Sequence, residues 1–368
     1  MTERTTERRI LDGSMWSDFC RALERAGDQV LRPETPGDAF DRAEGFRYLT
    51  RLLRLGLEKN VEFDDPRFPA FYSLSHETAK IGNDNPDNHY LNCAVSGRYT
   101  YRIRGRRGTA PYLSIETKAG SYGTTGTMEP TGHIELDDLE IAPDGTFEIT
   151  VSTEETSGNW LPMKPESDNL LVRQTFEDRA RETPAQLTIE CLDADGENVL
   201  DPASFAAALE RVPAFVAGTA GLFIDWMDRF GAHVNALPMN DQAMCLRAGG
   251  DPAITYHNSA WRLADDEALV IEVDTLPECR TWNFQLSNFW MESLDYRTHR
   301  ISVNAHTARL EPGGGVRIVV AHEDPGEAHP NWIETAGHRQ GAMLFRYVEA
   351  TTTPPIRTRV VKHRELTS

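Results

Sequence analysis

Short runs of alternating apolar and polar residues, separated by turn chemistry, constrain this chain more than any other feature. Tyr99, Tyr101 and Ile103 alternate with polar neighbours, as do Phe147, Ile149 and Val151, and Leu187, Ile189 and Cys191; shorter apolar runs surround Tyr112, Leu113 and Ile115, and Ile134 and Leu136. Gly120-Ser121, Pro143-Asp144-Gly145 and Ser157-Gly158-Asn159 read as the turns between them. A period of two turns one face of a strand inward, and many short strands with regular turns imply an antiparallel sandwich or barrel. The same texture returns after Asn235, in residues 269–274 (LVIEVD), in 282–286 (WNFQL) and in 316–320, which a Gly313-Gly314-Gly315 hairpin introduces. Pro354 and Pro355 precede an alternating Arg/Val tail, the chemistry of an edge strand.

Helical spacing interrupts this pattern twice. Trp16, Phe19, Cys20, Leu23 and Val30 predict a helix over 15–30, and Phe40 to Leu57 a second over 38–57 with Asp38 as its N-cap. Residues 202–230 are helical again, with Gly218 and Gly221 predicting a break into two helices. The expected fold is mainly β with helical segments: two β-sandwich-like units, the C-terminal one jelly-roll-like, with N-terminal and connecting helices. The expected organisation is a helical region over 1–60, a β-rich domain over 61–200, a helical connector over 201–232 and a jelly-roll-like domain over 233–368. No internal repeat of fixed period is visible.

A length of 368 residues suits about two domains. The formal net charge of −19 argues against general affinity for nucleic acid or anionic membrane, because both need clustered Lys and Arg. The basic run at residues 102–107 alternates with apolar residues, as the solvated face of a strand does. Five widely spaced cysteines form no CxxC pair, which fits reduced thiols and gives no zinc signature. With no apolar leader at the N-terminus and no run near the ~18 apolar residues of a membrane span, a cytoplasmic location is expected.

Residues 318–346 (IVVAHEDPGEAHPNWIETAGHRQGAMLFR) hold the densest polar set. A buried strand breaks at His322, and a loop carrying Asp324, His329, Asn331, Trp332, Thr335 and His338 follows before the next strand. Turn chemistry alone accounts for Asp324-Pro325-Gly326. The functional alternative makes His322 a base oriented by Asp324, His338 an acid, and Asn331 and Arg346 polarisers of an oxygen. The histidine spacing matches no metal motif, so no metal is expected. A second loop, 84–90 (DNPDNHY), offers Asp87 and Tyr90 as substrate contacts, although Asx-turns around Pro86 explain much of it. Tyr256, Trp290, Tyr296 and Trp332 are the aromatic residues that could line a pocket of mixed character. No GxSxG, GxGxxG or GxxxxGK[ST] sequence is present, and no cofactor is indicated.

The C-terminal third resembles a bacterial family of unknown function, DUF1214. The matching residues run from Gly250-Asp251-Pro252 through Tyr256 and Trp261, then Asp266-Glu267-Ala268 and the Trp290/Tyr296 region. The most specific match is Asp324-Pro325-Gly326, Asn331-Trp332, Thr335-Ala336-Gly337-His338 and Arg346. Residues 85–90 (NPDNHY) resemble the NxDTxY-type segment of the partner domain DUF1254, with Asn88 where that pattern has Thr. The resemblance implies a jelly-roll C-terminal domain and leaves the reaction open. The function expected is therefore a cofactor-independent acid/base enzyme, of hydrolase or lyase type, acting on a small, partly apolar organic molecule. The alternative is a non-catalytic β-sandwich protein binding a glycan or lipid-like metabolite. Either would take a small molecule as partner, with homo-oligomer formation open.

Overall fold

A computed structural model describes residues 3–366. Sixteen strands form four four-stranded sheets, and five α-helices accompany them among the described residues. The chain divides into two compact units. The first comprises Met1–Ala79, His89–Thr175 and Thr183–Leu222; the second comprises Lys80–Asn88, Phe176–Glu182 and Phe223–Ser368. Two short segments, 80–88 and 176–182, thus leave the first unit's stretch of sequence and pack within the second. Residue spacing does not reveal such excursions.

The first unit begins with helices α1 (Glu3–Leu11), α2 (Ser14–Ala26) and α3 (Ala39–Leu57). Asp38 caps α3 as expected, its carboxylate accepting from the Asp41 amide at 2.9 Å. The strands are β1 (Asn88–Ala94), β2 (Tyr101–Arg106), β3 (Tyr112–Ala119), β4 (Glu129–Glu135), β5 (Thr146–Ser152), β6 (Trp160–Pro162), β7 (Asn169–Thr175) and β8 (Gln186–Cys191). They pair in the orders β1-β7-β3-β4 and β6-β5-β2-β8. Tyr101, Ile103, Ile115, Ile149, Val172 and their neighbours fill the apolar interior. The basic run lies on the solvated side of β2, where Arg102 and Arg104 pair with Glu148 and Glu190.

Helix α4 (Pro202–Phe230) is continuous, which corrects the expected break at Gly218 and Gly221. Gly218 is there for close approach: a Cβ on it would sit 2.3 Å from the Tyr122 carbonyl oxygen, and one on Gly123 would sit 2.6 Å from Phe215 Cα. Backbone meets backbone at this crossing, so glycine serves packing and not flexibility. Gly218→Ala is expected to cost about 1–3 kcal/mol by overpacking, measured by urea unfolding. By length and composition 202–233 could cross a bilayer, yet 56% of its apolar stretch is buried inside the protein, as in core helices.

The second unit adds helix α5 (Gln242–Arg247) and strands β9 (Ile254–Arg262), β10 (Glu267–Val273), β11 (Thr281–Leu286), β12 (Ser302–Asn304), β13 (Val316–Ala321), β14 (Trp332–Glu334), β15 (Gln340–Val348) and β16 (Arg357–Lys362). Their orders are β9-β15-β11-β12 and β14-β13-β10-β16, with the proline-led tail strand β16 at an edge. Trp261, Trp282, Phe284, Phe345 and Tyr347 dominate the interior.

Each unit is therefore a two-sheet sandwich, and the two share one topology. Counted from its own first strand, each unit orders its sheets 1-7-3-4 and 6-5-2-8. Each has the same parallel pair at the same edge, β5 with β6 and β13 with β14. The duplication has no fixed sequence period because the connections differ in length.

Candidate functional site

The 318–346 stretch divides into two separate environments. In the loop between β13 and β14 and just beyond it, polar groups are consumed by local structure. Asp324 is exposed, and its carboxylate accepts from the Gly326 amide at 2.8 Å, a turn contact. Asn331 is buried: its Oδ1 accepts from the Arg309 amide at 2.7 Å, and its Nδ2 donates to the carbonyls of Arg309 (2.8 Å) and Arg317 (2.9 Å). Trp332 donates from its indole to the Ala321 carbonyl at 3.2 Å and packs on Ala268, Val270 and Val319. His329 contacts the Leu366 carbonyl.

Thr335 brings His322 and His338 to one place. His322 Nδ1 lies 2.8 Å from the Thr335 hydroxyl. His338 Nδ1 faces the carbonyls of Thr335 and Ala336, each at 3.2 Å, so that nitrogen carries the proton. The expected His322–Asp324 pairing gives way to His322–Thr335 because the turn takes the carboxylate first. Asn331→Ala should cost about 1–3 kcal/mol, since three part-buried backbone groups lose a partner; thermal unfolding reads it.

Arg346 lies elsewhere. On β15, Met343, Phe345 and Tyr347 face the interior, so Arg346 faces the other way. Opposite it in register are Asn283 on β11 and Tyr256 on β9; Asn304 on β12 is opposite Asn283 in turn. This outer face is buried and polar: Asn258, Asn283, Gln285, Asn304 and Arg346 are all nearly inaccessible. Arg346 donates to the Gln285 side chain, to Asn283 Oδ1 at 3.5 Å and to the Asn83 carbonyl.

The segment 80–88 lies over this face and is bonded to it at every step. Asn83 Nδ2 donates to Asn258 Oδ1 at 2.9 Å, Gln285 donates to the Asp84 carbonyl at 2.7 Å, and Asn283 donates to Asn85 Oδ1 at 2.8 Å. Asp84 accepts from the Ser293 amide and hydroxyl at 2.9 and 2.8 Å. Asn83 takes positive φ, and Gly82 meets the Phe223 ring so closely that a Cβ would lie 2.4 Å from it. Segment 176–182 closes the other side: the Phe176 amide donates to the Asp87 carbonyl, and Arg179 donates to the carbonyls of Pro86 and Asn88.

Asp87 is thus held between two clamps, its backbone fixed and the residue half-buried. Burial pushes its carboxyl up to about 6, against hydrogen bonds from Asn304 and Asn283 and the charges of Arg179 and Arg346. Of the residues expected to contact substrate, the second unit holds Asp87, Tyr256, Trp290, Tyr296 and Trp332, whereas Tyr90 is on β1 of the first. Tyr256 is buried with its hydroxyl accepting from the Asp251 amide, and Trp290 is fully buried beside Phe289. Tyr296 lies under the Lys80 ammonium, 4.7 Å from the ring centroid. Sequence reasoning missed Arg179, Asn283, Gln285 and Asn304. The signal lay in the outward positions of the WNFQL strand, where two amides alternate with core residues.

Residues 258–352 match the family model described as a protein of unknown function, DUF1214. The chain is similar to an uncharacterized protein from Burkholderia cenocepacia, of known crystal structure, with 53% identity and a TM-score of 0.95 over 97% of this chain and 99% of that one. A Vibrio parahaemolyticus protein, 11% identical, matches 93% of this chain and 100% of its own with a TM-score of 0.50, a likeness of fold alone. No curated protein matches the chain. The chain belongs to one family with the Burkholderia cenocepacia protein, and its residues 258–352 match the DUF1214 model.

Proposed function

We propose that the protein is a cofactor-independent acid/base enzyme, of hydrolase or lyase type, whose proton carrier is Asp87 and whose substrate is a small, partly apolar molecule. One observation carries this reading: a carboxyl on a half-buried residue, fixed by two segments of backbone, that burial raises to about 6. A carboxyl that titrates near neutrality can both accept and return a proton, which is the requirement for general acid/base work. Asn283 and Asn304 hold the carboxylate in one orientation, and Arg346 and Arg179 keep its proton from being bound too tightly. The role goes to Asp87 and not to His322 or His338, because Thr335 already engages both imidazoles. The resemblance of 85–90 to DUF1254-type segments belongs to the same proposal, since that motif contains Asp87.

The test pairs a titration with a screen. Carbon-13 NMR of labelled aspartate should show Asp87 titrating near 6, and a panel of esters, amides and β-elimination substrates should reveal turnover with a matching pH dependence. Asp87→Asn should lower that turnover by about 10²–10⁴-fold. Titration of Asp87 near 4, or undiminished turnover in the variant, would remove the proposal. Binding without turnover across the panel would favour the non-catalytic ligand-binding alternative.

A further inference from the structure

Helix α2 turns charged and apolar side chains to the same side. Asp18, Arg21, Ala22 and Arg25 recur at i, i+3, i+4 and i+7, so they share one stripe of the helix. Met15 and Phe19 lie beside that stripe and join Leu209 of α4 in an apolar cluster. Residues of α1, α2 and α4 enclose a recess of about 300 Å³ here. Phe19, Leu209 and Pro213 supply its apolar lining, and Arg9, Arg21 and Arg25 its cations. Trp16, 60% exposed, lies against the Phe19 ring with their centroids 5.3 Å apart.

The charges of the lining do not balance. Asp18 accepts from Arg9 at 3.1 Å and from Arg21, and Glu210 accepts from Arg9, so both carboxylates of the recess are engaged. Arg25 is exposed and pairs with no side chain among the described residues. One guanidinium is therefore surplus at an apolar recess, on a chain whose net charge is −19. A guanidinium presents a planar fork of donors that matches a carboxylate, and its apolar neighbours would hold the chain or ring attached to one.

We infer that this recess binds a small monocarboxylate with an apolar chain, the carboxylate on Arg25 and the chain against Phe19 and Leu209. One surplus cation suits one negative charge, which disfavours a dicarboxylate or a phosphate dianion. The volume lies at the small end of ligand clefts, roughly 300–1,000 Å³, and suits a short chain better than a long lipid. The site shares no residue with Asp87, so either can fail without the other.

Calorimetric titration of the full chain with octanoate, butanoate and octanol tests the inference. Octanoate should bind, and octanol about tenfold more weakly or not at all, because it cannot pair with the guanidinium. Each methylene removed between octanoate and butanoate should weaken binding by up to about fourfold, the signature of an apolar lining. Arg25→Gln alters an exposed side chain, so the fold should persist while octanoate affinity falls about tenfold or more. Ala22→Leu narrows the recess and should weaken octanoate more than butanoate. No octanoate binding by the wild type, octanol binding as tightly as octanoate, or undiminished octanoate binding by Arg25→Gln would overturn the inference.

Discussion

Replacing Arg346 with methionine is expected to destabilise the protein by about 3 kcal/mol, read as a lower urea midpoint at unchanged slope. The side chain is 5% exposed and satisfies three acceptors: Gln285 Oε1, Asn283 Oδ1 and the Asn83 carbonyl. Methionine fills the volume but donates nothing, so each acceptor stays buried without its donor at about 1 kcal/mol or more. Asn83 is the pivotal loss, because it anchors the segment that carries Asp87. Arg346→Lys should recover only part of the deficit, since one ammonium cannot reproduce the planar fork that reaches both Gln285 and Asn83. Arg346→Met should also raise the Asp87 carboxyl further, because one of the two cations that restrain it is gone. A loss below 1 kcal/mol would mean that water replaces the guanidinium and that the segment is held by its other bonds.

The sandwich character was legible because burial on one face imposes period two on strands such as β2, β5 and β8, and the side chains say so directly. The N-terminal helices and the Asp38 cap were legible for the same local reason. The continuity of α4 was not: Gly218 carries one chemical meaning in isolation and another when the Tyr122 carbonyl presses on it. The topological duplication was hidden because topology depends on which strands meet, while sequence spacing records only how long the connections are.

The candidate site was half legible. Asp87 and Arg346 stand out in the sequence, but the partners they meet in the structure are not readable there. The histidine-rich loop is conspicuous in the sequence because its polar residues are so dense. In the structure that density is spent on backbone carbonyls, on Thr335 and on a turn. The Asp87 cluster carries a subtler signal, amides and an arginine at the outward positions of strands whose alternate residues are core. Those positions ordinarily meet water. Here they meet residues 80–88, far away in sequence, and only the fold makes that encounter visible.

Asp87→Asn should stabilise the protein at pH 8 while removing the proposed proton carrier, and the sign is the informative part. The folded-state carboxyl sits near 6, above the 3.8 of an unstructured aspartate, so folding favours the protonated form. Its contribution is therefore fully present below about pH 4, declines as pH rises through 6, and is gone above that. A difference of about two pH units corresponds to about 3 kcal/mol at most, carried as a penalty by the ionised wild type at pH 8. Asparagine keeps the shape and can still pair with Asn283 and Asn304, but it never ionises. The stability difference between variant and wild type should thus be close to zero at pH 4 and grow to between about 1 and 3 kcal/mol at pH 8. Paired urea titrations across that range measure it, and other titrating groups cancel in the difference. Equal stability at both pH values, or a variant weaker at pH 8, would mean that the carboxylate is a satisfied structural anion. The proton-carrier assignment would then fall. A variant that is more stable at pH 8 and inactive would instead identify Asp87 as a group kept at a cost in stability, the pattern expected when a side chain is retained for its chemistry.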